Sequence, residues 1–179
     1  KVKIDCYIMG STCYDEKRNY LMYQGCYDSI IIYDARTLKL VNKIHIDPDL
    51  AFNNMVFDSE NQEFIGITFD GEDNHFVKYD RNGTKIMKKR IDTDALGYLG
   101  CVKEYDESDK LYYYLRSDSI MMVVNSNTGE SVDSFYLGFD TNALKFDRKT
   151  KEFIALTYEG EYPSLNNFIT TYSTERRRI

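Results

Sequence analysis

The chain has 179 residues, a net charge of −6 and 29% charged side chains. That length gives one domain with enough chain to bury a real core, and the acidic balance, with a pI near 5.0, argues against non-specific nucleic-acid binding. No apolar stretch approaches the roughly 18 residues of a membrane-spanning helix, and no signal peptide is visible.

The predicted elements are all strands. In the first unit Tyr14-Asp15 ends a strand and NYLMY from Asn19 begins the next. Ile30 to Tyr33 runs into Asp34, and Lys39-Leu40-Val41-Asn42-Lys43-Ile44 alternates as a strand with one wet face does. The second unit reads as strands at Asn54 to Phe57, Glu63 to Asp70, His75 to Tyr79 and Lys85 to Ile91. The third contains Tyr105-Asp106, KLYYYL from Lys110 and Val124-Asn125; the fourth contains Phe146-Asp147, EFIALTY from Glu152 and Tyr172-Ser173. These runs are rich in Tyr, Ile, Val and Phe, which is strand composition. The Asp, Asn, Gly and Thr that follow them bond the local backbone, and Gly permits positive φ. Arg176-Arg177-Arg178 occupies the place of an outer strand, where basic residues discourage stray pairing.

The four units recur at a short period. Ile4-Asp5, Ile46-Asp47 and Ile91-Asp92 are spaced by 42 and 45 residues; Leu137 takes the same place 46 residues later, with its acid displaced to Asp140, and Ile179 falls 42 residues after that. The units run over about 5–46, 47–91, 92–137 and 138–179. A second period lies over the first: EFIGITFDG from Glu63 matches EFIALTYEG from Glu152 at an offset of 89, and YDE at Tyr14 matches YDE at Tyr105 at an offset of 91. Duplication of a two-unit piece is the expected origin.

A period near 40 to 46 without helical pattern, the recurrent aromatic-Asp turns, and the paired form of Ile30 to Ile46 and Val77 to Ile91 resemble the β-propeller repeat class, with WD40-like, YVTN-like or NHL-like blades. The Trp-Asp and Gly-His pairs of WD40 repeats are absent. The resemblance implies an all-β fold: a propeller of four-stranded antiparallel blades. Four units make either a small four-bladed propeller or half of a seven- or eight-bladed one. The chain starts at Lys1 rather than Met and its two ends fall at the same repeat position, so a piece of a larger propeller is expected.

Loops from outer strand to next inner strand supply Asp47, Asp49, Asp92, Asp94 and Asp140 as candidate binding residues around a channel mouth. Such converging oxygens would hold Ca2+ or Mg2+; otherwise no cofactor is expected. At the opposite loops Asp34, Asp58, Asp80 and Asp147 are expected only to close turns. His45 and His75 have no zinc spacing, Asp92 to Gly97 fails the EF-hand pattern at its fifth and twelfth positions, and no nucleophile or phosphate-loop motif occurs. Cys6, Cys13, Cys26 and Cys101 lack a CxxC spacing and are expected as buried thiols in an intracellular, cytoplasmic protein. The expected function is a non-catalytic module that scaffolds or binds another protein, with no nucleic acid and no membrane span. The alternatives are a channel-centred metal-dependent hydrolase or lyase and a lectin-like sugar-binding propeller.

Overall fold

The computed structural model describes residues 8–25, 28–48, 52–91, 102–116, 119–137, 140–159 and 166–173. Its regular elements are fifteen strands in four antiparallel sheets, each an up-and-down meander. The first sheet is β1 (Ile8–Asp15), β2 (Tyr20–Gly25), β3 (Ser29–Asp34) and β4 (Leu40–His45); the second is β5 (Phe52–Asp58), β6 (Glu63–Phe69), β7 (Asn74–Asp80) and β8 (Lys85–Arg90). The third is β9 (Lys103–Asp106), β10 (Leu111–Leu115), β11 (Ile120–Asn125) and β12 (Glu130–Tyr136). The fourth has three described strands, β13 (Asp140–Asp147), β14 (Glu152–Glu159) and β15 (Asn166–Ser173). These are the blades of an all-β propeller, as the repeats predict. The chain divides into two compact units, Lys1–Asp92 and Thr93–Ile179, each holding two sheets.

Each unit has a core between its two sheets. In the first unit Met22, Ile30, Ile32 and Ile44 pack with Phe52, Met55, Phe64, Val77 and Tyr79. In the second, Tyr113, Leu115, Met121 and Val123 pack with Phe146 and Phe153, and the Tyr113 and Phe153 rings meet edge to face at 4.8 Å. Full burial of each such side chain is worth about 1.5–3 kcal/mol, so these faces set which way each strand must lie. A one-residue slip would turn a whole set to water. On β6 both faces are buried, with Phe64 on one and Ile65 and Ile67 on the other. This is why its sequence is a continuous apolar run rather than an alternating one.

The turns after inner and third strands share one construction. A carboxylate at the strand end accepts backbone N–H groups two and three residues on, at 2.7–3.4 Å. Asp15, Asp34, Asp58, Asp106 and Asp147 all do this. Asp80 takes those of Asn82 and Thr84, and Asn125 uses its side-chain amide oxygen in the same way. Four residues after five of these acids the chain enters left-handed φ without glycine, at Asn19, Leu38, Gln62, Lys110 and Lys151, with φ of 56–59°. That conformation costs an L-residue about 1–2 kcal/mol, which the paired N–H groups offset.

Bulges also recur at matched places. The outer strand gains one residue against the third strand in each of the first three sheets, at Val41, Ile86 and Val132. The inner strands β1, β5 and β13 shift register against their neighbours. At the shift in the second sheet Gly66 lies against Asn54, and a Cβ there would meet the Asn54 carbonyl oxygen at 1.8 Å and the Phe52 ring at 2.7 Å. The matching position on β14 is Ala155, fully buried.

Gly66→Ala is therefore expected to destabilise the fold by about 1–3 kcal/mol through overpacking, and Ala155→Gly by about 0.5–1 kcal/mol through backbone entropy. Urea midpoints at unchanged slope measure both; equal effects at the two sites would show that the close approach of β5 to β6 is not what selects glycine.

Candidate functional site

The meander puts the β1–β2 and β3–β4 turns at one rim of a sheet and the β2–β3 connection at the other, where the chain also leaves β4 for the next sheet. The first of these, the turn rim, is where acids are built into the structure. Asp15, buried, accepts from Arg18 at 2.7 Å and from the Ser59 hydroxyl of the adjacent sheet at 3.0 Å. The second unit repeats this arrangement with different chemistry. Buried Asp106 accepts from Lys151 of the adjacent sheet, and that ammonium also reaches the Ser108 hydroxyl at 2.6 Å and Asp109 at 3.2 Å. Lys145 binds Glu104 at 3.2 Å and Arg148 lies 3.7 Å from Glu107, so three cations of the fourth sheet face acids of the third. Burial pushes the Asp15 and Asp106 carboxyls up. Their hydrogen bonds, from Arg18 and Ser59 and from Lys151 and Ser108, outweigh it, and both end below the ordinary 3.8. At Glu104 burial wins over Lys145, and the carboxyl ends above its ordinary value.

At the opposite rim the five predicted acids are only partly visible. Asp47 follows β4 and pairs with Lys85 at 3.1 Å, its side chain 36% exposed. It sits where the second sheet closes on the first: Gly83, at φ +86°, leaves no room for a Cβ, which would meet the His45 carbonyl oxygen at 2.0 Å. The nearby Tyr79 hydroxyl is pushed well up by burial, and the Asp47 charge adds to this. Asp140 opens β13; its side chain, together with Asp49, Asp92 and Asp94, lies outside the described residues. The same rim carries acids that were not singled out as binding residues. Asp28, 50% exposed, stands 3.9 Å from His45. Asp70 closes its own turn on the Glu72 and Asp73 N–H groups and holds Lys88 at 2.9 Å, with the His75 Nδ1 atom 3.3 Å away. Their sequence signal was the loop after each second strand; what the loop acid meets depends on the outer strand, β4 for Asp28 and β8 for Asp70, which the local sequence does not show.

Among the described residues no group of three or more His, Cys, Asp or Glu side chains is placed to hold a metal ion, and no helix is long and apolar enough to cross a membrane. Cys13 is a half-buried thiol against the first unit's core; Cys6, Cys26 and Cys101 lie outside the described residues.

No known sequence family matches the chain, and no curated protein does. Its fold is shared with solved structures, among them a WD40 domain and a β-propeller domain. Hydrazine synthase of Kuenenia stuttgartiensis superposes with a TM-score of 0.66 at 14% identity, over 98% of this chain and 48% of that one. The WD40 domain of Toxoplasma gondii coronin gives 0.64 at 16% identity, over 95% and 46%. The β-propeller domain of Myceliophteria thermophila Cps50 (Swd1) gives 0.56 at 10% identity, over 93% and 58%. The chain has the β-propeller fold and spans about half the length of the structures it matches.

Six described aspartates, Asp15, Asp34, Asp70, Asp80, Asp106 and Asp147, have carboxyls held below 3.8. A depressed folded-state pKa gives stability that is present above the unfolded value and lost as pH falls through the folded one. The melting temperature is expected to fall steeply below about pH 4. Asp106→Asn, which cannot titrate and weakens the Lys151 contact, should melt lower at pH 7 and lose less on acidification. An identical acid slope for the variant would remove Asp106 from the account.

Proposed function

We propose that the chain is a non-catalytic propeller module that binds another protein through the rim containing the β2–β3 loops and the exits of the outer strands. The observation that supports this reading is the division of acids between rims. On the turn rim Asp15, Asp34, Asp58, Asp80, Asp106 and Asp147 each take two backbone N–H groups, so their charge serves folding. On the other rim Asp28 and Asp47 keep 50% and 36% of their side chains exposed, with Glu72 exposed beside the Asp70 turn. A basic face on a protein partner is the complement of these acids, since opposed potentials steer encounter and reject wrong partners. The propeller folds of coronin and Cps50 are compatible with this, although fold does not choose function. The proposal gives the chain no catalytic residue and no cofactor, and an intracellular setting agrees with the Cys13 thiol.

The double reversal Asp28→Lys/Asp47→Lys tests it. Asp28 and Asp47 keep 50% and 36% of their side chains exposed, and reversing Asp47 also removes its Lys85 pair, worth about 0.2–1 kcal/mol, so the melting temperature should fall by only a few degrees. A protein captured by the wild-type chain should be lost by the variant, and its capture should weaken with salt. Capture that is unchanged by both reversals moves the binding surface elsewhere.

A further inference from the structure

We propose that Asn42 and Asp133 close the outer edges of the first and third sheets against an added strand. Among the described residues three sheets have an outer strand, β4, β8 and β12, and each lies at the edge of its sheet. Such an edge presents unpaired N–H and C=O groups to any extended segment that meets it. The bulged residues Val41, Ile86 and Val132 are 45%, 49% and 53% exposed, so apolar surface is also on offer there.

The direction of the edge N–H groups follows from the register. Ile46 donates to the Asp28 carbonyl at 2.8 Å, Ile91 to that of Asn74 at 3.0 Å and Leu137 to that of Ser119 at 3.0 Å. The pairs just inside these bonds, Ser29 with His45, His75 with Arg90 and Ile120 with Tyr136, are therefore of the non-hydrogen-bonded kind. The two kinds alternate along an antiparallel ladder. Lys43 opposite Ile31, Lys88 opposite Val77 and Ser134 opposite Met122 thus belong to the same kind, and their N–H groups point away from the sheet.

In two sheets the preceding side chain takes that N–H. The Asn42 Oδ1 atom accepts from Lys43 at 2.9 Å, and the Asp133 Oδ1 atom accepts from Ser134 at 2.8 Å. Both acceptors directly follow the bulged residue, and they are spaced as Tyr14 and Tyr105 are. A backbone donor held by a neighbouring side chain is withdrawn from an incoming strand. The second sheet is closed by other means. Met87 stands at the matching place and has no side-chain oxygen, while β8 carries Lys85, Lys88, Lys89 and Arg90. Basic residues on an edge resist pairing. The sheet without the acceptor is the one with the cations, since β4 has one lysine and β12 none.

Amide hydrogen exchange and sedimentation of the whole chain test this. After correction for intrinsic rates, the Lys43 and Ser134 amides should exchange about two- to tenfold more slowly than that of Lys88, the span of a typical net hydrogen bond. Asn42→Val/Asp133→Val should remove that difference and raise the average mass in solution above that of the wild type. Lys43→Val/Ser134→Val adds the same apolar bulk one residue along, keeps both acceptors, and should sediment as the wild type does. Exchange at Lys43 and Ser134 as fast as at Lys88 would overturn the proposal. So would wild-type mass in the variant that lacks both acceptors, or equal association of the two valine pairs. Valine favours strands and all four sites are exposed, so both variants should fold; if either does not, the wild-type exchange rates decide.

Discussion

The interaction on which the architecture depends is a carboxylate at the end of a strand that gathers two backbone N–H groups of the turn beyond it. Reversing an antiparallel strand leaves those groups without ladder partners, and a carboxylate gives them charge-assisted bonds that are roughly twice as strong as neutral ones. The turns also require left-handed backbone at Asn19, Leu38, Gln62, Lys110 and Lys151, none of them glycine. The aspartates meet the first demand and offset the second. With the turn fixed, register follows, and with register the alternation that sends Phe64, Val77 and Tyr79 into one core and Met121, Val123 and Phe153 into the other.

The same carboxylates tie sheets together. Asp15 reaches Ser59 and Asp106 holds Lys151, so in each unit a turn acid of one sheet is closed by a group from the corresponding turn of the next. Charge on that rim is thereby committed to the fold. The exit of β4 closes differently: the β7–β8 turn presses Gly83 against His45, Asp47 pairs with Lys85 just beyond that turn, and Asp28 keeps half of its side chain exposed. The protein-binding role we propose for the rim opposite these turns rests on this asymmetry, because the Asp28 charge there can change partner without loosening a hairpin.

Much of this was legible in the chain itself. The 42- to 46-residue period, the aromatic-Asp pairs and the β-branched runs foretold four sheets of meandering strands, and the strand limits in the second sheet fall within two residues of those expected. The turn role of Asp34, Asp58, Asp80 and Asp147 was readable because an Asx turn is local chemistry. The stitching of Asp106 to Lys151 was not, since the partners stand 45 residues apart and only the packing of two sheets brings them together. Left-handed φ at Leu38 or Lys110 carried no glycine to announce it. Gly66 and Ala155 occupy one motif position, and nothing local in the sequence shows that Gly66 lies against the Asn54 carbonyl. Asp47 was legible as a loop acid, while its pairing with Lys85 depends on where β8 starts.

Native-state hydrogen exchange at the turn amides tests the central claim most directly. If the buried carboxylates of Asp15, Asp58 and Asp106 hold the hairpins, the N–H groups of Lys17, Glu60 and Ser108 should exchange only through the large openings that release the core amides of Ile65 and Val123, with similar opening free energies. Exchange of those turn amides at the rates of open loop, while the core stays protected, would show that the turns follow the sheets rather than hold them.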